Sequence, residues 1–483
     1  MTAGGRAFPR VTALRAQRLL GTSAYRIAPA AAAGLMAGGH TGSPGTGALV
    51  FISVLAASLA LDREDYPIHL MPIASLAVRA AVPFLGVALA LMLLVFAGNP
   101  EPVTSMIAPV LGTWAVMAFA GWSKLRFESS HRVRIGVIGS AGIARGLDEE
   151  LRSAGIQSYT VVGWLAGTDP PSDRGAGGPR RLGSLESVRD VVTRHGIDLL
   201  VHSTGQPTEG DENRHGRLEV FERVAASCLD LPVRLIEANQ LYEDLLGHVP
   251  LGQSNAAWFQ YLLHPRYRAG SPGSKRVFDI IVGSCMLVVA SPFLFAFAIA
   301  VKLTDGGPIF YRQRRVGEGG GEFEMVKLRS MRVASESAGA KWSGADDDRV
   351  TRVGRIMRRT HMDELPQLWN VLKGEMTIVG PRPERRELIT ELERQLPYYD
   401  RRHIVKPGLA GWAQARCGYG GSEEGTGWKL CHDLYYLKHR SVFFDLLILM
   451  ENFHVSLRSG VQFDVRAPQQ QFILGHATET PGS

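Results

Sequence analysis

Apolar residues come in long uncharged runs over the first quarter of the chain and in short alternating blocks after it. The runs are residues 27–39, 45–61, 80–97 and 103–122. The last two are long enough to cross a bilayer as helices; the first is short and rich in Ala and Gly. Lys and Arg occur in 1–26, 62–79 and 124–126 but not in 40–46 or 98–102. That alternation predicts four transmembrane helices over 27–125, with both ends in the cytoplasm. Residues 1–26 hold Arg6, Arg10, Arg15, Arg18 and Arg26 and no acid. They read as a basic cytoplasmic leader, because a signal peptide would start its apolar core sooner.

From residue 132 the pattern changes. Strand-like runs at 133–138, 159–164, 199–202 and 233–236 alternate with helical patterns at 139–151, 184–195 and 218–229. This predicts a Rossmann-like α/β domain with a parallel sheet over 132–251. Gly139-Ser140-Ala141-Gly142 opens its first helix but is not GxGxxG. No acid ends the second strand, where Gly163-Trp164-Leu165-Ala166-Gly167 stands, so the ribose-binding carboxylate of a dinucleotide site is missing. No Tyr-x-x-x-Lys pair occurs in this segment either. Residues 252–274, with His264-Pro265 and the Gly and Pro cluster at 270–273, read as a linker.

The run at 277–301 has the length of a span, but Lys275, Arg276 and Lys302 make both flanks basic, and Ser291-Pro292 interrupts it. The expectation is a helix–break–helix over 275–303 that enters and leaves one membrane face. A kinked true span is the alternative. Residues 304–460 read as a second α/β domain. Strand-like segments at 308–317 and 323–331 flank a glycine turn at 319–321. Lys327 and Arg329 share one strand face. A polar loop follows at 335–348. At 352–359, Val353, Ile356 and Met357 oppose four arginines, a pattern suited to a membrane surface. Residues 461–483 read as a flexible tail.

The densest chemistry lies at 355–383: Arg355, Arg358 and Arg359, the adjacent Asp363 and Glu364, an apolar helix over 365–372, then Pro381-Arg382-Pro383. Guanidinium groups beside carboxylates suit phosphate chemistry, in which a carboxylate holds Mg²⁺ or attacks phosphorus. Spacing alone leaves a plainer reading equally open. Asp363 would cap the next helix, with Thr360 in an approximate capping box and the arginines solvated.

Ordered blocks between 275 and 460 decide between these readings. They are KRVFDII, SPF, GPIFYRQRRVG, FEMVKLRSM, TRVGRIMRRTHMDELPQLWNVLKGEMTIVGPRP, KPGLAGWAQ and DLYYLKHRSVFFDLLIL. Together they closely resemble the bacterial polyprenyl glycosylphosphotransferases, or monotopic phosphoglycosyl transferases. The resemblance implies transfer of a sugar 1-phosphate, glucose or galactose being expected, from a UDP-sugar to undecaprenyl phosphate with release of UMP. It implies a re-entrant membrane helix and a catalytic domain on the cytoplasmic face of the inner membrane. By resemblance Asp363 is the nucleophile, and Glu364 helps to hold Mg²⁺. Lys327 and Arg358 match family residues and are expected to meet phosphate, with Arg329 joining them from its shared strand face; Pro381-Arg382-Pro383 binds the nucleotide, and Asp433 and Asp445 lie near the site, Asp433 being the better candidate.

The net charge of +7 agrees with anionic partners such as lipid headgroups and nucleotides. No zinc-finger spacing or basic recognition helix points to nucleic acid. The four cysteines, at 228, 285, 417 and 431, show neither paired nor metal-ligand spacing. Every candidate catalytic residue lies beyond Ser271, which leaves stability, homo-oligomer formation or regulation to the upstream part. Two other functions fit the sequence less well. A membrane-tethered NAD-dependent nucleotide-sugar dehydrogenase or dehydratase would need the missing ribose acid. A non-enzymatic scaffold for polysaccharide assembly would leave Asp363, Glu364 and Arg382 unexplained.

Overall fold

The structure, a computed structural model, describes residues 25–61, 70–96, 103–130, 132–166, 178–202, 222–253, 258–259, 272–332, 349–396, 398–417 and 423–457. The expected leader, the polar loop at 335–348, most of the linker and the tail lie outside these residues. Two compact units divide at Tyr242.

Helices form at each amino-terminal apolar run: α1 (Tyr25–Thr41), α2 (Pro44–Leu61), α3 (Pro72–Phe96) and α4 (Ile107–Ser130). Their packing reverses the usual size order of a soluble core. Small residues meet inside, among them Ala30, Ala33, Ala37, Val50, Val54 and Ala90, while Leu35, Ile52, Phe84, Leu111 and Phe119 face outward. A Cβ at Gly34 would lie 2.7 Å from the Gly47 carbonyl oxygen, so these backbones approach closely through glycine. Small residues inside and large apolar ones outside suit helices packed in lipid. By length and composition, Ala74–Val95 is able to cross a membrane, whereas Pro44–Ser58 and Thr104–Phe119 are shorter apolar stretches.

A five-stranded parallel sheet follows: β1 (Val133–Ile138), β2 (Tyr159–Ala166), β3 (Arg180–Ser184), β4 (Leu199–His202) and β5 (Arg234–Glu237), in spatial order β3-β2-β1-β4-β5. Its connections include α5 (Ala141–Ser153) and α6 (Val188–His195), and α7 (Ala238–Leu246) follows β5. Ser140 caps α5 by accepting the Ile143 amide. The sheet order agrees with the expected Rossmann-like fold. Strand β3 was not anticipated, because RRLGS is polar and pairs with β2 at the sheet edge. Gly163 is needed there: a Cβ would meet the Arg180 carbonyl oxygen at 2.2 Å. The second compact unit begins at Tyr242, within α7.

In that unit, α8 (Pro272–Asp305) is one unbroken helix, and the expected break at Ser291-Pro292 is absent. The reason is local. Pro292 offers no amide to the Val288 carbonyl, and the Ser291 hydroxyl donates to that carbonyl instead, at 2.8 Å. Both parts of α8 rest on the same unit. Near its start, Arg276 donates to the Val371 and Leu372 carbonyls at 2.7 and 2.6 Å. Near its end, Val301 is buried with Leu328 and Met357. Between them Val288, Val289, Phe293 and Phe295 are exposed.

The rest comprises the hairpin β6 (Phe310–Val316) and β7 (Glu322–Leu328), α9 (Arg352–Arg359), α10 (Gln367–Lys373), β8 (Thr377–Val379), α11 (Arg386–Gln395), β9 (Gly408–Ala410), α12 (Trp412–Cys417), α13 (Glu423–His439) and α14 (Val442–Leu457). The hairpin turns through Gly319 and Gly320, both at positive φ, as the glycine cluster suggested. In α9, Met357 and Gly354 face inward and Ile356 is exposed, so the apolar face is narrower than expected.

Candidate active site

Thr351 starts α9 by accepting the Gly354 amide at 2.9 Å. The helix ends at Arg359, and His361 turns the chain at φ 55 into a 3₁₀ turn, Met362–Glu364. This left-handed residue swings the two carboxylates away from the α9 axis. Asp363 does not cap α10, whose N-cap is Pro366 with no side-chain bond. Thr360 donates back to the Ile356 carbonyl, so there is no capping box. The capping alternative is therefore corrected by geometry.

The two adjacent acids have opposite surroundings. Glu364 Oε1 accepts Lys327 Nζ at 2.7 Å and Arg382 Nη2 at 2.6 Å, and Oε2 accepts Arg382 Nη1 at 3.3 Å. Burial disfavours its charge, but Arg382 and Lys327 more than offset that and hold its carboxyl well below the usual range. Asp363 is also buried, with 7% of its surface exposed. No hydrogen bond or ion pair engages its carboxylate among the described residues. Burial and then Glu364 push its pKa up, while Lys327, Arg358 and His361 pull it down less strongly. The pair thus separates into a satisfied anion and a buried carboxylate without a partner.

Arg382 is aimed by its turn. All three carbonyls of Pro381-Arg382-Pro383 are held: Pro381 by the Gly408 amide at 2.9 Å, Arg382 by Arg402 Nη2 at 3.1 Å, and Pro383 by Arg315 Nη1 at 3.2 Å. Gly408 permits the approach, since a Cβ there would meet the Gly380 amide nitrogen at 2.1 Å. Arg358 lies within electrostatic reach of Asp363 and donates Nε–H to the Ser330 hydroxyl at 3.0 Å.

Lys327, Arg358, Arg382, Asp363 and Glu364 are therefore brought together. Three other expected residues are not. Arg329 is buried just past β7, where its amide donates to the Ile309 carbonyl. Asp433 pairs with Arg402 at 2.8 Å, and that arginine in turn donates to the Arg382 carbonyl. Asp445 sits at the base of α8, where it takes Lys275 at 2.7 Å and the Tyr436 hydroxyl at 2.8 Å. Ser441, not Asp445, caps α14 by accepting the Phe444 amide at 3.0 Å. Sequence reasoning missed Ser330, His361, Arg315 and Arg402. Adjacency to Asp363 could have flagged His361; no spacing rule pointed to Arg402.

Mg²⁺ takes oxygen ligands, usually one or two carboxylates completed by water and substrate phosphates. Asp363 and Glu364 are a donor set of that kind, so the residues present fit the ion.

The sequence profile of a family described as bacterial sugar transferase matches residues 271–459. An Aeromonas hydrophila protein, UDP-N-acetylgalactosamine-undecaprenyl-phosphate N-acetylgalactosaminephosphotransferase, is 38% identical over 238 residues, 49% of this chain and 55% of its own length. A Xanthomonas campestris UDP-glucose:undecaprenyl-phosphate glucose-1-phosphate transferase is 41% identical over 180 residues, 37% of each chain. A Rhizobium leguminosarum exopolysaccharide production protein, PSS, is 36% identical over 195 residues, 39% of this chain and 98% of its own length. The chain belongs to the bacterial sugar transferase family. It matches about half or less of the length of the first two relatives.

Proposed function

We propose that the protein transfers a sugar 1-phosphate from a UDP-sugar to undecaprenyl phosphate, and so starts a polysaccharide repeat unit. The observation that carries this reading is the contrast between Asp363, buried and unpartnered, and Glu364, neutralised by Lys327 and Arg382. A carboxylate poised without partners suits a nucleophile, and cations set around it suit a diphosphate. An Asp363 oxygen attacks the sugar-bearing phosphorus. The bond to the UMP oxygen breaks, and UMP leaves with that electron pair. A phosphate oxygen of the lipid then attacks the same phosphorus, and the aspartyl–phosphorus bond breaks to restore the carboxylate. Lys327, Arg358 and Arg382 would spread the phosphate charge. Bound Mg²⁺, with Glu364 as its ligand, would supply further charge neutralisation on the diphosphate.

The placement proposed is the cytoplasmic face of the inner membrane, with α8 re-entrant. Both parts of α8 resting on one unit, and the exposed apolar residues between them, support this. The names of the relatives support glucose or N-acetylgalactosamine as the sugar, with galactose the remaining hexose to try.

The test omits the acceptor. Enzyme, Mg²⁺ and each of UDP-glucose, UDP-galactose and UDP-N-acetylgalactosamine are mixed without lipid. The covalent route releases about one equivalent of UMP per active site as a burst, with sugar-labelled protein. Asp363→Asn abolishes both. Release of UMP only after lipid is added would mean direct attack by the lipid phosphate instead.

A further inference from the structure

The family profile begins at residue 271, yet the unit that holds the active site begins at Tyr242. What residues 242–259 do there is assigned by nothing in the transfer reaction itself. Their contacts fall on two places.

The first is the carboxyl end of α13. Glu243, buried, accepts Lys438 Nζ at 2.9 and 2.6 Å through its two oxygens, and lies 3.1 Å from His439 Nε2. Trp258 donates its indole N–H to the same carboxylate at 3.1 Å, and Lys438 lies over the Trp258 ring. The Gly247 carbonyl accepts Trp412 Nε1 at 2.7 Å, and the Val249 amide donates to the Cys431 carbonyl on α13. The second place is the turn before Arg402. The Phe259 ring stacks on Tyr398 at 3.8 Å between centroids, and Tyr398 is held at φ 64, a backbone state unusual for a tyrosine.

Those two places carry the two halves of one buried ion pair. Asp433 lies on α13, and Arg402 follows the Tyr398 turn. Arg402 in turn donates to the Arg382 carbonyl at 3.1 Å and to the Tyr399 hydroxyl at 2.5 Å. The segment therefore grips both sides of the pair that holds the Pro381-Arg382-Pro383 turn.

We infer that residues 242–253, together with Trp258 and Phe259, are an intrachain clamp on the catalytic unit, and that Glu243 and Phe259 are positioning residues. Through the Asp433–Arg402 pair they hold Arg382 in register with the donor diphosphate. This inference rests on the transferase reading for what Arg382 binds, but not for the clamp itself. Loosening the clamp misplaces one cation and leaves Asp363 and Glu364 in place, so donor binding weakens more than chemistry.

The test uses the full chain in membranes, with Glu243→Gln and Phe259→Leu as separate variants. Two quantities are read: the KM for the UDP-sugar that wild type turns over, and amide hydrogen exchange over 377–384 and 399–404. The expected result is a KM raised about tenfold with kcat within about threefold of wild type. Faster exchange in both segments should accompany it. KM does not depend on how much enzyme is folded. A variant that only loses folded protein lowers the maximal rate with KM and exchange unchanged, and that result overturns the inference. If wild type turns over none of UDP-glucose, UDP-galactose and UDP-N-acetylgalactosamine, the transferase reading fails. Exchange then still decides the clamp: unchanged exchange in both variants overturns it, and faster exchange in both segments upholds it.

Discussion

Arg382 grips Glu364 with both terminal nitrogens, Nη2 to Oε1 at 2.6 Å and Nη1 to Oε2 at 3.3 Å. The neighbouring Asp363 takes none of this charge directly. One residue of offset along a 3₁₀ turn thus separates an anchored acid from an available one. In the proposed reaction Glu364 also keeps Lys327 and Arg382 gathered before the substrate arrives.

Arg382→Lys should therefore be nearly as damaging as Arg382→Ala, because a lysine keeps the charge but cannot span both oxygens. Each is expected to lower kcat/KM on the order of a hundredfold, a size typical of a displaced charged contact in an active site. Steady-state UMP release measures it. A lysine variant near wild type would mean that charge alone suffices at this position.

The acid side of the pH profile should report Asp363. Its pKa is raised by burial and then by Glu364. The nucleophile is the anion, and its population falls as pH drops through that raised value. The burst rate should then decline at a higher pH than an ordinary aspartate, near 3.9, would give. Arg358 favours the anion, so Arg358→Gln should move the decline to still higher pH. Glu364 disfavours it, so Glu364→Gln should move the decline the other way while slowing the burst. Shifts of the same sign in both variants would contradict the charge arrangement.

Single cysteines in place of Ser274 and Asp305 should both be labelled by a membrane-impermeant reagent from the cytoplasmic face alone. The basic residues Lys275 and Lys302 near the two ends of α8 predict this. Labelling of the Asp305→Cys chain from the opposite face would establish a full span. Ser291→Ala leaves the Val288 carbonyl without the hydroxyl that replaces the proline's missing amide. The expected result is that some labelling at 305 shifts towards the opposite face.

Much of this protein is written locally. Apolar runs mark α1 to α4, because an α-helix satisfies its own backbone hydrogen bonds and needs little from elsewhere. Strands β1, β2 and β4 were legible since central parallel strands are apolar on both faces, and β5, at the other edge, through Leu235 and Ile236. Edge strand β3 was not, because its partner β2 supplies the order that RRLGS does not encode. The acids at 363 and 364 were legible as a pair, but their division of labour was not. That depends on Lys327 and Arg382, which lie 37 and 18 residues from Glu364 along the chain and meet it only after folding. By resemblance Asp433 and Asp445 were both expected near the site, Asp433 as the better candidate. Tertiary structure separated them by giving one Arg402 and the other Lys275 and Tyr436, since a buried carboxylate takes its role from whichever cation or donor reaches it.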